Sequence, residues 1–119
     1  MKIPKKHWKR INDALSYLDS SYNIKYNVVK LSTANTLNHE LAKCAKAYEL
    51  ISDGNIFITE AIFKNGQGRA DIFDVVNLRV YEILHSETEK EALSKITKYP
   101  EGLDIVFLKS EDVLNECEV

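Results

Sequence analysis

Residues 38–84 read NHELAKCAKAYELISDGNIFITEAIFKNGQGRADIFDVVNLRVYEIL, and the apolar period changes after Asp53-Gly54. Ahead of that pair, Leu37, Leu41, Cys44, Tyr48 and Ile51 recur at spacings of three and four, which predicts a helix. Ser32, Thr33 and Asn35 are its N-cap candidates, and Gly54 suits a left-handed cap at its end. Beyond it the period is two. Ile56 to Phe63 reads as a strand, Lys64-Asn65-Gly66-Gln67-Gly68 as a hairpin loop, Arg69 to Val76 as a second strand, and Leu78 to Leu84 as a third after a turn at Asn77. Both faces of these strands carry apolar side chains, so the sheet is expected to be covered on each side.

The flanks extend the pattern. Trp8, Ile11, Leu15 and Leu18 predict a helix over 5–19, with Pro4 at a tolerated helix start. Ser20 to Asn23 is turn-like, and Tyr26 to Leu31 reads as a short strand or an extended connector. On the other side, Thr88 to Tyr99 is a helix whose inner face is Ala92, Leu93, Ile96 and Tyr99. Pro100 and Gly102 stop it. Leu103 to Leu108 is a strand, and Ser110 begins a last short helix. The order is α, a doubtful β, then α-β-β-β-α-β-α, which predicts one α/β domain with a mixed sheet flanked by helices.

Composition agrees with such a domain. The chain has 119 residues, 45% apolar and 29% charged, with 4 Gly and 2 Pro. No run approaches the roughly 20 apolar residues of a membrane span. Cys44 and Cys117 form no C-x-x-C pair, so two reduced thiols are expected, with Cys44 in a core. The basic N-terminus lacks the apolar segment of a signal peptide, so a cytoplasmic location is expected. The net charge of −2 specifies no nucleic-acid partner by itself. Its distribution is uneven, however. Lys2, Lys5, Lys6, Lys9 and Arg10 precede any acid, while Glu111, Asp112, Glu116 and Glu118 crowd the end. Lys5, Lys6, Lys9 and Arg10 form an arm that either follows a phosphate backbone or is a solvated helix start.

Acids inside apolar strands need a reason, because a carboxylate away from water is costly unless paired, hydrogen-bonded or metal-bound. Glu60, Asp71, Asp74 and Glu82 are such acids. Neighbouring antiparallel strands can bring two of them within about 5–8 Å, and carboxylates that close favour a divalent cation between them.

A Glu-bearing helix, a strand, a Gly-containing loop, an Asp strand and then a Glu strand resemble the PD-(D/E)xK nuclease superfamily, closest in look to archaeal Holliday-junction resolvases. The resemblance spans roughly residues 36–109. It implies a restriction-endonuclease-like fold, with 1–35 as a basic helix and connector and 36–119 as the nuclease-like core. It also implies that Glu40 matches the helix Glu, Asp71 the motif Asp and Glu82 the first motif Glu. Asp71 and Glu82 would be ligands of Mg²⁺ or Mn²⁺, the partner DNA, and the assembly a possible homodimer. Two residues after Glu82 the family places a lysine, and this chain has Leu84; Ala70 replaces the family's proline. Lys43, Lys64 and Lys90 are the candidate substitutes, Lys43 and Lys90 foremost.

Other readings stand beside these. Glu82 could pair with Arg79 or Lys98, Asp71 could occupy a turn or sheet edge or pair with Arg69, and Glu40 could be an exposed helix acid paired with Lys43 or Lys46. His85-Ser86-Glu87 reads as a helix cap by Ser86 or Thr88 rather than a triad. His7 and His39 are lone histidines. Gly66-x-Gly68 reads as a hairpin loop, since no helix follows it. Two functions result: a small metal-dependent DNA endonuclease, or an inactive domain of the same fold that binds nucleic acid or a protein.

Overall fold

A computed structural model describes residues 2–20, 23–84, 89–96 and 98–117. A 3-10 turn at Lys5–His7 leads into α1 (Trp8–Leu15). Then come α2 (Leu37–Ser52), β1 (Phe57–Ile62), a 3-10 turn at Lys64–Gly66, β2 (Arg69–Asp74) and β3 (Arg79–Leu84). The chain ends with α3 (Glu89–Ile96), β4 (Asp104–Lys109) and α4 (Ser110–Asn115). The strands form one sheet in the order β1-β2-β3-β4. The first two pairings are antiparallel and β3–β4 is parallel, so the sheet is mixed as expected. The predicted cap at Ser86 or Thr88, with His85 and Glu87, lies outside the described residues. No helix among the described residues is long and apolar enough to cross a membrane.

Both sheet faces are covered. Ile11, Ala14 and Leu18 pack with Ile58, Phe73 and Val80 on one side. On the other, Ala42, Ala47 and Leu50 of α2 meet Phe57, Ile72, Tyr81 and Ile83, with Val113 and Leu114 of α4 beside them. The Tyr26–Leu31 segment is the extended connector rather than a strand. Asn27 bonds Phe57 through both its backbone N–H and its side-chain oxygen, and the Thr59 hydroxyl bridges Val28 O and Lys30 N–H.

Expectations about helix faces are corrected, among them Leu93 on the inner face of α3, which is 51% exposed. Leu37, Leu41, Cys44, Tyr48 and Ile51 point to solvent, with the four apolar ones 73, 45, 74 and 48% exposed. The buried face of α2 is His39, Glu40, Ala42, Lys43, Ala47 and Leu50. Cys44 is therefore no core residue. Two alanines let the helix approach the sheet, and the polar members bury because partners await them there. On α1, Trp8 is 45% exposed, while Ile11 and Ala14 are buried.

Candidate active site

The first turn of α2 is set by Thr36, whose hydroxyl accepts the His39 N–H at 3.2 Å. That cap fixes where the helix begins and turns His39 and Glu40 toward the sheet. Glu40 Oε1 accepts Asn35 Nδ2 at 2.8 Å and Ser32 N–H at 3.3 Å, and Glu40 Oε2 lies 2.6 Å from Lys43 Nζ. Lys43 is wholly buried. Its ammonium also donates to Glu60 Oε1 at 2.7 Å and to the Lys30 carbonyl at 2.9 Å. Burial pushes the Glu40 carboxyl up, but the Lys43 and Asn35 hydrogen bonds outweigh it and hold the group below its ordinary value. Burial pulls Lys43 down, and its two carboxylates raise it past its ordinary value. The core therefore contains a charged acid–lysine–acid unit.

Glu60 reaches that unit through an unusual backbone, φ +52°. Thr59 is opposite Ile72 and Ala61 opposite Ala70, which puts Glu60 at the level of Asp71. Ile58 and Ala61, three apart, enter the same core, and so do Ala70 and Phe73. A regular strand would send each pair to opposite faces. The inside-outside alternation thus slips on both strands at the level of Glu60 and Asp71.

The next ladder opens at the same level. Strands β2 and β3 pair at Asp74–Arg79, Phe73–Val80 and Ile72–Tyr81. One step further, side chains replace backbone partners. The Asp71 N–H donates to Glu82 Oε1 at 3.3 Å, and the Ile83 N–H donates to Asp71 Oδ2 at 2.8 Å. The Tyr99 hydroxyl donates to Glu82 Oε1 at 2.6 Å, with the Arg69 carbonyl also in reach at 2.9 Å. Burial and the Glu82 charge raise Tyr99 far above its ordinary value, so it stays a donor. His39 Nε2 stands 3.3 Å from Asp71 Oδ2, and this contact raises the imidazole above its ordinary value against the opposing effect of burial.

These groups line a cavity of about 530 Å³, whose walls include His39, Glu60, Arg69, Asp71, Glu82, Lys98 and Tyr99. The sequence-predicted Asp71 and Glu82 share it. Glu40 and Lys43 lie behind it as a buried pair, joined to it through His39 and Glu60. Glu40 is accordingly not an exposed helix acid, although its expected Lys43 partner is present. Lys90 is exposed on α3 and does not line the cavity, and neither do Lys64 or the exposed Lys5, Lys6, Lys9 and Arg10. Arg79 pairs with Asp104. Asp74, the other strand acid, is buried and accepts the Val76 and Asn77 N–H groups, so it shapes the turn.

His39, Arg69, Lys98 and Tyr99 belong to the site although the motif reading did not select them. The signal for His39 was its place beside Glu40 at a helix start. In the sequence Lys98 reads only as a partner for Glu82 and Tyr99 only as an inner-face residue of the helix; α3 ends at Ile96, and the chain returning from it brings both to the cleft. Asp71 and Glu82 supply two hard oxygen donors, the set that a hydrated Mg²⁺ takes when waters and a substrate phosphate complete its shell. Among the described residues, no three His, Cys, Asp or Glu side chains form a closed metal cage. The chain matches no protein-family model, no curated protein and no solved structure.

Proposed function

We propose that the cleft binds and slowly hydrolyses DNA phosphodiesters with the help of Mg²⁺ or Mn²⁺. The observation that carries the reading is the opening of the β2–β3 ladder at Asp71 and Glu82, where two adjacent strand carboxylates take the place of backbone partners and line one cavity. The order α2-β1-β2-β3-α3-β4, with β4 parallel to β3, supports a restriction-endonuclease-like arrangement. Asp71 and Glu82 would hold the metal, which when bound neutralises phosphate charge and acidifies a water. Tyr99 orients Glu82. Arg69 and Lys98 favour an anionic backbone at the rim. His39, whose hold on a proton is strengthened by Asp71, can carry one at Nε2 toward a leaving oxygen.

A second reading, an inactive DNA- or protein-binding domain, is favoured by one observation. The positions that could supply the family's lysine do not put an ammonium in the cleft. Leu84 is 4% exposed and apolar, and Lys43 is wholly buried, donating to Glu60 and the Lys30 carbonyl and paired with Glu40. Losing one electrostatic stabiliser costs roughly 10²–10³ in rate, hence the expectation of slow turnover.

The test is cleavage of four-way junction, duplex and single-stranded DNA with Mg²⁺ or Mn²⁺, alongside calorimetric titration of Mn²⁺. Slow cleavage that vanishes in Asp71→Asn and Glu82→Gln, with Mn²⁺ affinity falling in both, supports the enzyme. DNA binding weakened by Arg69→Ala and Lys98→Ala, with no cleavage of any substrate, selects the binding domain. No binding and no cleavage would reject both.

A further inference from the structure

The acids of the cleft are recessed. The side chains of Asp71 and Glu60 are 16 and 17% exposed, and that of His39 is 10% exposed. Asp71 and Glu82 also each spend an oxygen inward, on the Ile83 N–H and the Tyr99 hydroxyl. By contrast the Arg69 side chain is 63% exposed, and Lys98 is exposed too, so these cations stand at the mouth. One wall is the loop ahead of α2, with Ser32, Ala34, Asn35 and Thr36; another is Lys98 with Tyr99. The loop is tied to the buried acid–lysine unit, since Ser32 N–H and Asn35 Nδ2 both donate to Glu40. It does not swing away without breaking those bonds. The cavity thus has a pinned wall and an acidic floor below a basic rim.

We infer that the strand entering this cleft is unpaired: the substrate class is single-stranded DNA, or an unpaired segment within a duplex, rather than paired backbone. The inference rests on the reading of the cleft as a DNA site. Size comes first. A volume of 530 Å³ is that of a sphere about 10 Å across, whereas the major groove alone of B-form DNA is about 12 Å wide. The cavity therefore accepts a nucleotide and not two paired strands. Reach comes second. In a duplex, stacking and pairing hold each phosphate in line with its neighbours, and the paired backbone meets the rim before any phosphate meets a recessed carboxylate. An unpaired nucleotide can turn about its backbone bonds and go inward. Charge comes third. Among the described residues that line the cavity, the exposed cations are Arg69 and Lys98, which suit one backbone on its way in. A duplex-binding face instead spreads its contacts along the phosphates of the double helix.

The test uses one labelled sequence as a single strand, as a blunt duplex and as a duplex interrupted by an unpaired segment, with Mn²⁺ at constant salt. Fluorescence anisotropy reads binding and gel analysis reads cleavage. The single strand and the interrupted duplex should bind at least about tenfold more tightly than the blunt duplex, which must first unpair. Any cuts should fall in the unpaired segment. That comparison needs no variant. Ala34 is exposed on the cavity wall. Ala34→Trp should fill the entrance and reduce single-strand affinity to that of the duplex, with Mn²⁺ titration and circular dichroism unchanged. Leu93→Trp, on α3 and outside the cavity, should keep the preference. A preference in binding supports the proposal with or without cleavage. A blunt duplex bound or cut as well as the single strand would overturn it and leave the hydrolytic reading standing. Single-strand affinity unchanged in a folded Ala34→Trp would place the strand outside the cavity and overturn it as well. No DNA of any form bound or cut would overturn the inference together with the reading on which it rests.

Discussion

The ammonium of Lys43 donates to Glu60 and to the Lys30 carbonyl and forms an ion pair with Glu40 at 2.6 Å. Burying a cation is affordable only with such close pairing. The i, i+3 relation to Glu40 was legible in the sequence. The burial of the pair was not, because Glu60 approaches from 17 residues away on a strand whose backbone turns left-handed there. Lys43→Met should therefore cost about 3–5 kcal/mol, since it strands two acids near the core; urea denaturation measures this. Glu40 is held below its ordinary value, so its stabilisation is full above the ordinary carboxyl pKa. It is lost as pH falls through the lowered one, and Lys43→Met should flatten that acid limb. His39 carries the opposite sign. Its contact with Asp71 raises the imidazole, so its contribution is full below about pH 6.5. It disappears as pH rises through the higher folded value. In Asp71→Asn the His39 titration, followed by NMR, should move down toward or below the ordinary value. An unmoved midpoint would mean that Asp71 does not govern the proton.

At the scale of elements, the misread helix shows what periodicity can establish. The spacing of Leu37, Leu41, Cys44, Tyr48 and Ile51 identified α2 correctly, because a helix repeats in threes and fours on every face. It did not say which face is buried. Hydrophobicity chose the larger side chains, whereas the sheet accepts Ala42, Ala47 and Leu50 together with an ion pair. The strands were legible by their period, but the slip at Glu60 and Asp71 was not, since it depends on a backbone angle. Gly68 is a second hidden determinant. It read as a loop glycine. In the fold it has φ +108°, and an added Cβ would lie 2.7 Å from Cε1 of Tyr99, the ring that reaches past it to Glu82. Gly66 has φ +67° with nothing within 4 Å of that position. Both alanine variants incur backbone strain of about 1–3 kcal/mol. Only Gly68→Ala should also displace Tyr99. Its unfolding free energy should thus drop further than that of Gly66→Ala, and Glu82 should lose a donor. Equal losses in the two variants would show that Tyr99 yields without cost.

For the whole molecule, element order carried most of what could be read. An α-β-β-β-α-β run with both strand faces apolar leads to a mixed sheet covered on two sides, and such a sheet is present. The cleft was only half legible, because Asp71 and Glu82 meet by local strand pairing whereas Tyr99 and Lys98 arrive by long-range return of the chain. Charge placement leads to the last expectation. Lys5, Lys6, Lys9 and Arg10 are exposed and lie outside the cleft, whose own exposed cations are Arg69 and Lys98. The arm is anchored by Ile11, Ala14 and Leu18, which are 0, 0 and 2% exposed. Its four charges can therefore be changed to alanine without removing what holds α1. That substitution takes the net charge from −2 to −6, since four positive charges are lost. Affinity alone would fall from this general effect, so the informative quantity is the slope of log K against log salt. Each phosphate contact contributes about 0.9 to that slope on duplex DNA. If all four residues touch backbone, the slope should flatten by about 3 to 4. Arg69→Ala with Lys98→Ala should remove about 2. A quadruple variant that binds more weakly with the original slope would restrict DNA contact to the cleft rim, and the arm would then act only through long-range charge.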